Sequence, residues 1–182
     1  VAKYIYEQAA KSGKRVQSLG GAKNHLIVMP DANMEQTVDG IMGAAYGSAG
    51  ERCMAVSVAV PVGDQTADEF VTKLAPRVQN LKIAPFSDDK AEMGPVITSA
   101  AKHRIERYIN EGVDAGAELI VDGRGIKLQG YEGGFFIGGT LLDRVTSQMS
   151  VYKDEIFGPV LSVVRAYYYN ESKQFFISHE YG

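Results

Sequence analysis

The order of apolar patterns along the chain restricts the fold more than any other feature of the sequence. Short apolar runs at residues 26–29, 56–62 and 119–121 have the length of strands, and the first of them is predicted to be buried. The helical period recurs between these runs, at Met34, Val38, Ile41, Met42 and Ala45, at Phe70, Val71, Leu74, Val78 and Leu81, and at Ile105, Tyr108, Ile109 and Gly112. Because strands that alternate with helices form parallel sheets covered by those helices, this order predicts a layered α/β domain with a mostly parallel sheet.

The remaining segments fit the same fold class. Residues 1–12 predict a short helix, and residues 15–19 predict a short strand. The glycine-rich stretch 123–134 predicts turns, whereas residues 135–142 and 160–165 predict two further strands. The sequence therefore offers several candidate strands for a single sheet.

The composition narrows the classes of protein to which this chain can belong. Its 182 residues, 45% hydrophobic and 23% charged, suffice for one core. Lysine and arginine number 19 against 22 acidic residues, so the net charge of -3 argues against nucleic acid as a partner. No apolar run is long enough to span a membrane and no signal peptide is present, so we expect neither membrane insertion nor secretion. Because the chain begins at Val1 without an initiator methionine, we expect a piece of a longer protein.

Cys53, in the run GSAGERCM, is the single cysteine of the chain. It has no partner for an internal disulfide, which fits a reducing compartment. Small residues between Gly43 and Gly50 leave an open path toward it, and Arg52 places a positive charge beside the thiol, an environment that favours a reactive thiolate. A lone cysteine is nevertheless more often an inert small residue of a core. The residues by themselves leave both interpretations open.

Two further patterns contain no complete binding motif. Gly20 and Gly21 follow a predicted strand, but the chain has neither a dinucleotide-binding glycine motif nor a P-loop, so we interpret the pair as a structural turn. The three histidines, His25, His103 and His179, are scattered and lack metal-ligand spacing to the cysteine. We therefore predict no metal site and interpret the histidines as surface or capping residues.

Five motifs occur in the order and at the spacing typical of the aldehyde dehydrogenase superfamily. They are SLGGAKNH (18–25), GSAGERCM (47–54), MGPVI (93–97), FFIGGTLLDRV (135–145) and KDEIFGPVLSVVR (153–165). The chain resembles this superfamily over essentially its whole length, and within it the methylmalonate-semialdehyde dehydrogenase branch. The resemblance implies the aldehyde dehydrogenase catalytic-domain fold. It also implies NAD-dependent oxidation of methylmalonate or malonate semialdehyde to an acyl-CoA, with loss of carbon dioxide, in valine catabolism.

The resemblance further implies roles for four residues. Cys53 matches the family nucleophile, which attacks the aldehyde and then carries the acyl group as a thioester. Arg52 matches an arginine of this branch that would pair with the substrate carboxylate. Glu155 matches the acid that binds the ribose hydroxyls of the nicotinamide half of NAD, and Phe157 matches the aromatic residue that packs near it. NAD and coenzyme A are thus the implied cofactor and co-substrate.

One departure from the superfamily bears on the release of the product. Hydrolytic members have a glutamate directly before Leu-Gly-Gly that activates water, whereas this chain has Ser18 there, or Leu19 if the alignment shifts by one residue. The absence of a carboxylate favours release by coenzyme A. A hydrolytic aldehyde dehydrogenase stays open as an alternative, as does an inactive fragment that acts only as a folded or binding module.

The resemblance also implies how the chain is divided. Residues 1–21 correspond to the tail of the cofactor-binding domain, and residues 22–182 to a catalytic domain that is incomplete at its C-terminus. The full-length enzyme is expected to be a homo-oligomer in the bacterial cytoplasm or the mitochondrial matrix. The 182-residue chain alone is expected not to reduce NAD and to self-associate through exposed apolar surface, including the aromatic residues of 167–169 and 175–176.

Overall fold

The computed structural model describes residues 1–181, which form a five-stranded sheet with helices packed against it. The strands are β1 (Asn24–Val28), β2 (Val56–Pro61), β3 (Glu118–Val121), β4 (Thr140–Asp143) and β5 (Val160–Val163). The helices are α1 (Ala2–Lys11), α2 (Met34–Tyr46), α3 (Asp64–Gln79), α4 (Ser99–Asp114), α5 (Ser150–Lys153) and α6 (Tyr169–Ile177).

The sheet has the strand order β1-β2-β5-β4-β3 and is mostly parallel, as predicted. Leu26 of β1 lies opposite Ala59 of β2, and Leu141 of β4 lies opposite Leu161 of β5, in parallel ladders. Only β3 runs antiparallel, at the edge beside β4. The amino ends of the four parallel strands therefore share one edge of the sheet, and their carboxyl ends share the opposite edge.

Both faces of the central strands are covered. All four residues of β4 and of β5 are buried, as are the last four residues of β2. Successive residues of a strand point to opposite faces, so continuous burial requires cover on both sides, which confirms the layered α/β fold. In β1 only Val28 is buried, because β1 lies at the edge of the sheet; the prediction of a fully buried strand there is wrong.

The helices follow the predicted apolar stripes. Helix α2 begins at an N-cap formed by Asn33, whose Oδ1 accepts a hydrogen bond from the backbone N–H of Gln36 at 3.1 Å. The buried positions of the three long helices recur at helical spacing: Met34, Val38, Ile41 and Ala45 in α2, Phe70, Leu74 and Val78 in α3, and Ile105, Ile109 and Gly112 in α4. Within residues 1–181, no helix has both the length and the apolar character needed to cross a bilayer.

The predicted strand at residues 15–19 is absent. This segment is irregular, its backbone pairs with no strand among residues 1–181, and Leu19 is 85% exposed. A strand requires a neighbour to complete its ladder of hydrogen bonds, and an apolar pattern alone does not supply one.

The predicted strand at residues 135–142 begins only at Thr140. Upstream of it, the carbonyl of Phe135 accepts from the Val96 N–H at 3.1 Å, and the N–H of Gly138 donates to the carbonyl of Gly123 at 2.7 Å. These backbone groups bond to loops, so they form no ladder.

The aromatic residues near the end of the chain divide into two groups. The side chains of residues 167–169 are exposed, as expected. Phe175 and Phe176 are instead half-buried, with their rings packed near Tyr152 and His25 respectively. Helix α6 is thereby attached to the body of the domain through its last turn.

Candidate active site

Two loops meet at the amino ends of the parallel strands and form one cleft. The thiol loop, residues 47–55, leads into β2, and the Glu155 loop, residues 154–158, leads toward β5. The cleft is lined by all of the site residues predicted from the sequence: Arg52, Cys53, Glu155 and Phe157. The tertiary structure therefore brings together residues that lie about a hundred positions apart in the sequence.

The thiol loop has an unusual backbone. Ser48 and Ala49 both have a φ of 54°, in the left-handed region that residues with a side chain rarely adopt. Gly50 follows with a φ of 68°, and a Cβ at this position would collide with the backbone of Gly158 in the Glu155 loop. Strained backbone of this kind is concentrated at functional sites, where the surrounding structure holds it in place.

Cys53 presents an exposed thiol at the end of this loop. The side-chain amide of Asn24, at the start of β1, donates to the carbonyls of Cys53 and Ala55, each at 2.8 Å. Cys53 is therefore not an inert residue of the core, and its backbone is held while its thiol stays accessible.

Arg52 is exposed beside the thiol. Its guanidinium lies against Gly47, where a Cβ would be 3.3 Å from Nη1. Within residues 1–181 the side chain of Arg52 forms no salt bridge and no hydrogen bond, so its charge is available to an anionic ligand.

The Glu155 loop is held from two sides. The Nζ of Lys23 donates to the carbonyls of Val151 and Asp154, each at 2.8 Å. From α4, the Nε of Arg104 donates to the carbonyl of Ile156 at 3.2 Å. The loop is therefore held through its backbone, which leaves the side chains of Glu155 and Phe157 free for contacts in the cleft.

Phe157 and Glu155 are the side chains that this loop offers to the cleft. Phe157 has a φ of 55°, unfavourable for a bulky residue, and its ring is 39% exposed. The hydrogen bond from Arg104 Nη2 to the Phe157 carbonyl, 3.4 Å long, helps to hold that conformation. The Glu155 carboxylate has no hydrogen-bond donor within the described part of the chain and can therefore accept from a ligand.

Glu51 links the thiol loop to the MGPVI motif. Its Oε2 accepts from the N–H of Ile97 at 3.0 Å, while its buried Oε1 has no hydrogen-bond partner among residues 1–181. Burial raises the pKa of this carboxyl, opposed by the Ile97 hydrogen bond and by the charge of Arg104. The carboxyl thus holds the thiol loop against a second segment.

The histidines differ in part from their predicted placement. His103 is exposed, but His25 and His179 are half-buried and make edge-to-face contacts with the ring of Tyr152. Burial lowers the pKa of His25 to about 4, so its ring is neutral at physiological pH. No group of three or more His, Cys, Asp or Glu side chains within residues 1–181 is arranged to hold a metal ion.

The Gly20-Gly21 pair lies in irregular backbone that no hydrogen bond closes into a turn, so the prediction of a structural turn is not confirmed. Gly21 has a φ of 81°, and a Cβ there would lie 2.6 Å from the ring of Tyr181. A Cβ on Gly20 would lie 2.7 Å from Ala2. Both glycines are packed against protein atoms, which leaves no open cradle for a phosphate.

Sequence reasoning assigned no role to Lys23, Asn24 and Arg104, although all three hold the loops of the cleft. Lys23 and Asn24 lie inside the motif SLGGAKNH, so their place in a family motif was a signal that could have identified them. Arg104 lies on a helix without any distinguishing pattern, and nothing in the sequence separates it from other surface arginines.

The chain matches known proteins over its whole length. A sequence model described as the aldehyde dehydrogenase family covers residues 1–182. A malonate-semialdehyde dehydrogenase of Pseudomonas aeruginosa is 56% identical over 182 residues, which are 100% of this chain and 37% of that protein. One of Bacillus cytotoxicus is 53% identical over 165 residues, 91% of this chain and 34% of that protein. The chain thus spans little more than a third of the length of these curated relatives.

Solved structures share the fold. A methylmalonate-semialdehyde dehydrogenase of Oceanimonas doudoroffii superposes with a TM-score of 0.93 at 50% identity, over 98% of this chain and 37% of that one. A second structure is that of a Sinorhizobium meliloti protein in complex with NAD, provisionally named methylmalonate-semialdehyde dehydrogenase. It superposes with a TM-score of 0.94 at 57% identity, over 98% of this chain and 36% of that one. Betaine aldehyde dehydrogenase of Staphylococcus aureus, in complex with NAD+, superposes with a TM-score of 0.88 at 29% identity. The match covers 95% of this chain and 34% of that one. These likenesses confirm the fold class.

Proposed function

Because this chain belongs to the aldehyde dehydrogenase family, we propose that it carries the nucleophile of an NAD-dependent, CoA-acylating dehydrogenase of malonate or methylmalonate semialdehyde. The observation that carries this proposal is the content of the cleft. It combines an exposed thiol with a cation and a carboxylate that have no partners within residues 1–181. Because these groups are accessible and have no partners in the described part of the chain, a ligand can engage all three.

Cys53 is the proposed nucleophile. Its thiolate sulfur would form a bond to the aldehyde carbon, and the carbonyl oxygen would take up the electron pair of the C=O π bond, giving the oxyanion of a thiohemiacetal. Loss of a hydride from that carbon converts the adduct into a thioester on the Cys53 sulfur. The hydrogen bonds from Asn24 leave the thiol uncovered, which suits this role.

Arg52 is the proposed binding residue for the substrate carboxylate. A guanidinium presents parallel N–H donors that match a carboxylate, and a semialdehyde acid carries one beside its reacting carbon. Its place directly before Cys53 in the chain supports an assignment in which one end of a small substrate is held while the other end reacts.

The described residues form one wall of the proposed cofactor site. The cleft holds about 20 Å³, far below the roughly 300–1,000 Å³ of ordinary ligand pockets, so a dinucleotide needs further contacts from elsewhere. Glu155 can accept hydrogen bonds from ribose hydroxyls, and Phe157 offers an exposed ring. These two residues fit the nicotinamide half of NAD. NAD, when bound, would supply the acceptor for the hydride.

Coenzyme A is the proposed acceptor of the acyl group. Neither Ser18 nor Leu19 lines the cleft, and the one carboxylate in its described lining, Glu155, is assigned to the ribose hydroxyls. No described lining residue is then left to act as a base for water. The coenzyme A thiol would attack the thioester and release the Cys53 thiolate. One semialdehyde acid, one NAD+ and one coenzyme A would then yield one acyl-CoA, one carbon dioxide and one NADH.

We propose the same division of the chain that the motifs imply. Residues 1–21 would extend from the cofactor-binding domain, and residues 22–182 would belong to the catalytic domain. Helix α1 buries no side chain within the described part, which supports contacts with a neighbouring domain. A chain that supplies one wall of the cofactor site is expected to lack turnover by itself.

The test is a chimera in which residues 1–182 replace the matching stretch of the Pseudomonas aeruginosa relative. With malonate semialdehyde and NAD, we expect sustained NADH production only when coenzyme A is present. We expect Cys53→Ala to abolish both NADH production and the acyl-enzyme detected by mass spectrometry. The unaltered relative serves as the positive control.

Two outcomes would contradict the proposal. Acyl-enzyme on the Cys53→Ala chimera would exclude Cys53 as the nucleophile. Sustained NADH without coenzyme A would indicate a hydrolytic enzyme instead.

A further inference from the structure

We propose that Lys23 and Asn24 are positioning residues that together fix the spacing between the thiol loop and the Glu155 loop. The inference rests on the proposed function, because it concerns the same cleft. It adds two residues that touch neither thiol nor carboxylate but hold the backbone that carries each of them.

Asn24 holds the thiol loop. Its amide group has two N–H donors, and both are used, one on the carbonyl of Cys53 and one on the carbonyl of Ala55, at 2.8 Å each. These carbonyls flank Met54, so one side chain spans the turn that leads from the thiol into β2. Removing the amide leaves this turn held mainly by the N–H of Ala55 on the carbonyl of Arg52, at 3.1 Å.

Lys23 holds the Glu155 loop. Its side chain is 6% exposed, and its Nζ bridges the carbonyls of Val151 and Asp154 at the C-terminal end of α5. A cation is favourable at the end of a helix, where carbonyls lack partners. Burial lowers the pKa of Lys23 to about 8, opposed by the charges of Asp154 and Glu155. A buried ammonium that costs this much solvation is expected to have a specific task.

The two residues are adjacent, and this adjacency joins the two halves of the cleft. Successive side chains of an extended segment point in opposite directions, so one reaches the thiol loop and the next reaches the Glu155 loop. Lys23 directly precedes β1 and Asn24 is its first residue, so the distance between the loops is set by two neighbouring side chains of one short segment. Hydride transfer requires such control, since misplacement by about 1 Å can cost about 100-fold in rate.

The first part of the test separates the two residues by kinetics in the chimera described above. We expect Asn24→Ala to lower kcat by about 10- to 100-fold with little change in the KM for NAD. We expect Lys23→Met to raise the KM for NAD by about tenfold. Asn170→Ala and Lys153→Met, exposed residues of the same types, are the matched controls and should behave like the parent.

The second part of the test does not depend on activity. Hydrogen exchange measured by mass spectrometry should become faster around residues 52–56 in Asn24→Ala and around residues 151–157 in Lys23→Met. In each variant, exchange in the other loop should stay as in the parent. Asn24→Ser keeps one donor and Lys23→Gln keeps two, so both should show smaller changes of the same kind. These variants replace the first pair if either member of that pair fails to fold.

The outcomes distinguish the two proposals. An inactive parent chimera refutes the proposed function. In that case the hydrogen-exchange experiment alone tests whether Lys23 and Asn24 hold the two loops. The paired role is overturned if a single variant speeds hydrogen exchange in both loops. It is also overturned if neither variant changes exchange in either loop. Equal kinetic effects of the two variants on kcat and on the KM for NAD would overturn it as well.

Discussion

At the carboxyl ends of the parallel strands Arg165 is surrounded by carboxylates, whereas at their amino ends Arg52 has no partner within the described residues. Arg165 donates from Nη2 and Nε to both carboxylate oxygens of Asp143, at 2.6 and 3.2 Å, and from Nη1 to Asp68 at 2.7 Å. Asp143 is only 1% exposed. These hydrogen bonds raise the pKa of Arg165 further, so its charge is permanent.

The difference teaches which end of the sheet is available for chemistry. In open parallel sheets ligands usually bind beyond the carboxyl ends of the strands. Here those ends hold a closed cluster of paired charges, whereas the thiol and the cleft charges without partners among residues 1–181, those of Arg52 and Glu155, lie at the amino ends. Pairing among charged groups, rather than the topology of the sheet, indicates the site in this chain.

The largest effect on stability is expected at the paired end. Arg165→Met leaves Asp143 buried without its partner and should lower the free energy of unfolding by about 3–5 kcal/mol. Arg144→Met is the control, because Arg144 pairs with Glu118 at an exposed position and should cost no more than about 1 kcal/mol. Urea unfolding of the two variants measures both values. If both variants lose the same free energy of unfolding, the Arg165 cluster is no more stabilising than an exposed ion pair, and the contrast between the two ends of the sheet fails.

The next effect concerns the backbone of the open end. Gly50→Ala adds a Cβ where φ is 68° and where the backbone of Gly158 is in the way, and should cost about 2–4 kcal/mol. Gly43→Ala, in α2 with no atom within 4 Å of the added Cβ, should instead stabilise the chain by about 0.5–1 kcal/mol. Thermal and urea unfolding test the pair. A tolerated Gly50→Ala would show that the thiol loop can relax.

Arg52 should matter for substrate choice and hardly for stability. Arg52→Leu removes a charge without partners in residues 1–181, so unfolding should change by less than about 0.5 kcal/mol. In the chimera, the preference in kcat/KM for malonate semialdehyde over propanal should fall by about 10- to 100-fold, the value of a hydrogen bond to a charged group. Equal losses for the two aldehydes would count against the assigned role.

The smallest effect is the pH dependence that Lys23 imposes. Folded Lys23 releases its proton near pH 8, whereas the unfolded residue keeps it until about 10.5. The unfolded state thus binds more protons in this window, so stability should rise by on the order of 1 kcal/mol between pH 7 and 9. The rise should disappear in Lys23→Met and persist in Lys153→Met. If the stability of Lys23→Met still rises between pH 7 and 9, another titrating group causes the rise and this prediction is wrong.

The fold class and the four candidate site residues could be predicted from local patterns and short motifs. Apolar periodicity is a local property, so the alternation of strands and long helices could be read without knowledge of contacts. The thiol, its neighbouring arginine and the residues of the Glu155 loop lie in short contiguous motifs, and the resemblance needed only those motifs.

The remaining features became visible only in the folded chain, because they depend on partners that lie far away in the sequence. Lys23 finds its carbonyl acceptors more than 120 residues later, and Asn24 finds its acceptors about 30 residues later. Residues 15–19 lack a neighbouring strand, and no local pattern reports that. Arg52 and Arg165 are the same residue type, each within a short motif of one sequence. The positions of the surrounding carboxylates make Arg165 structural and leave Arg52 without a partner among residues 1–181.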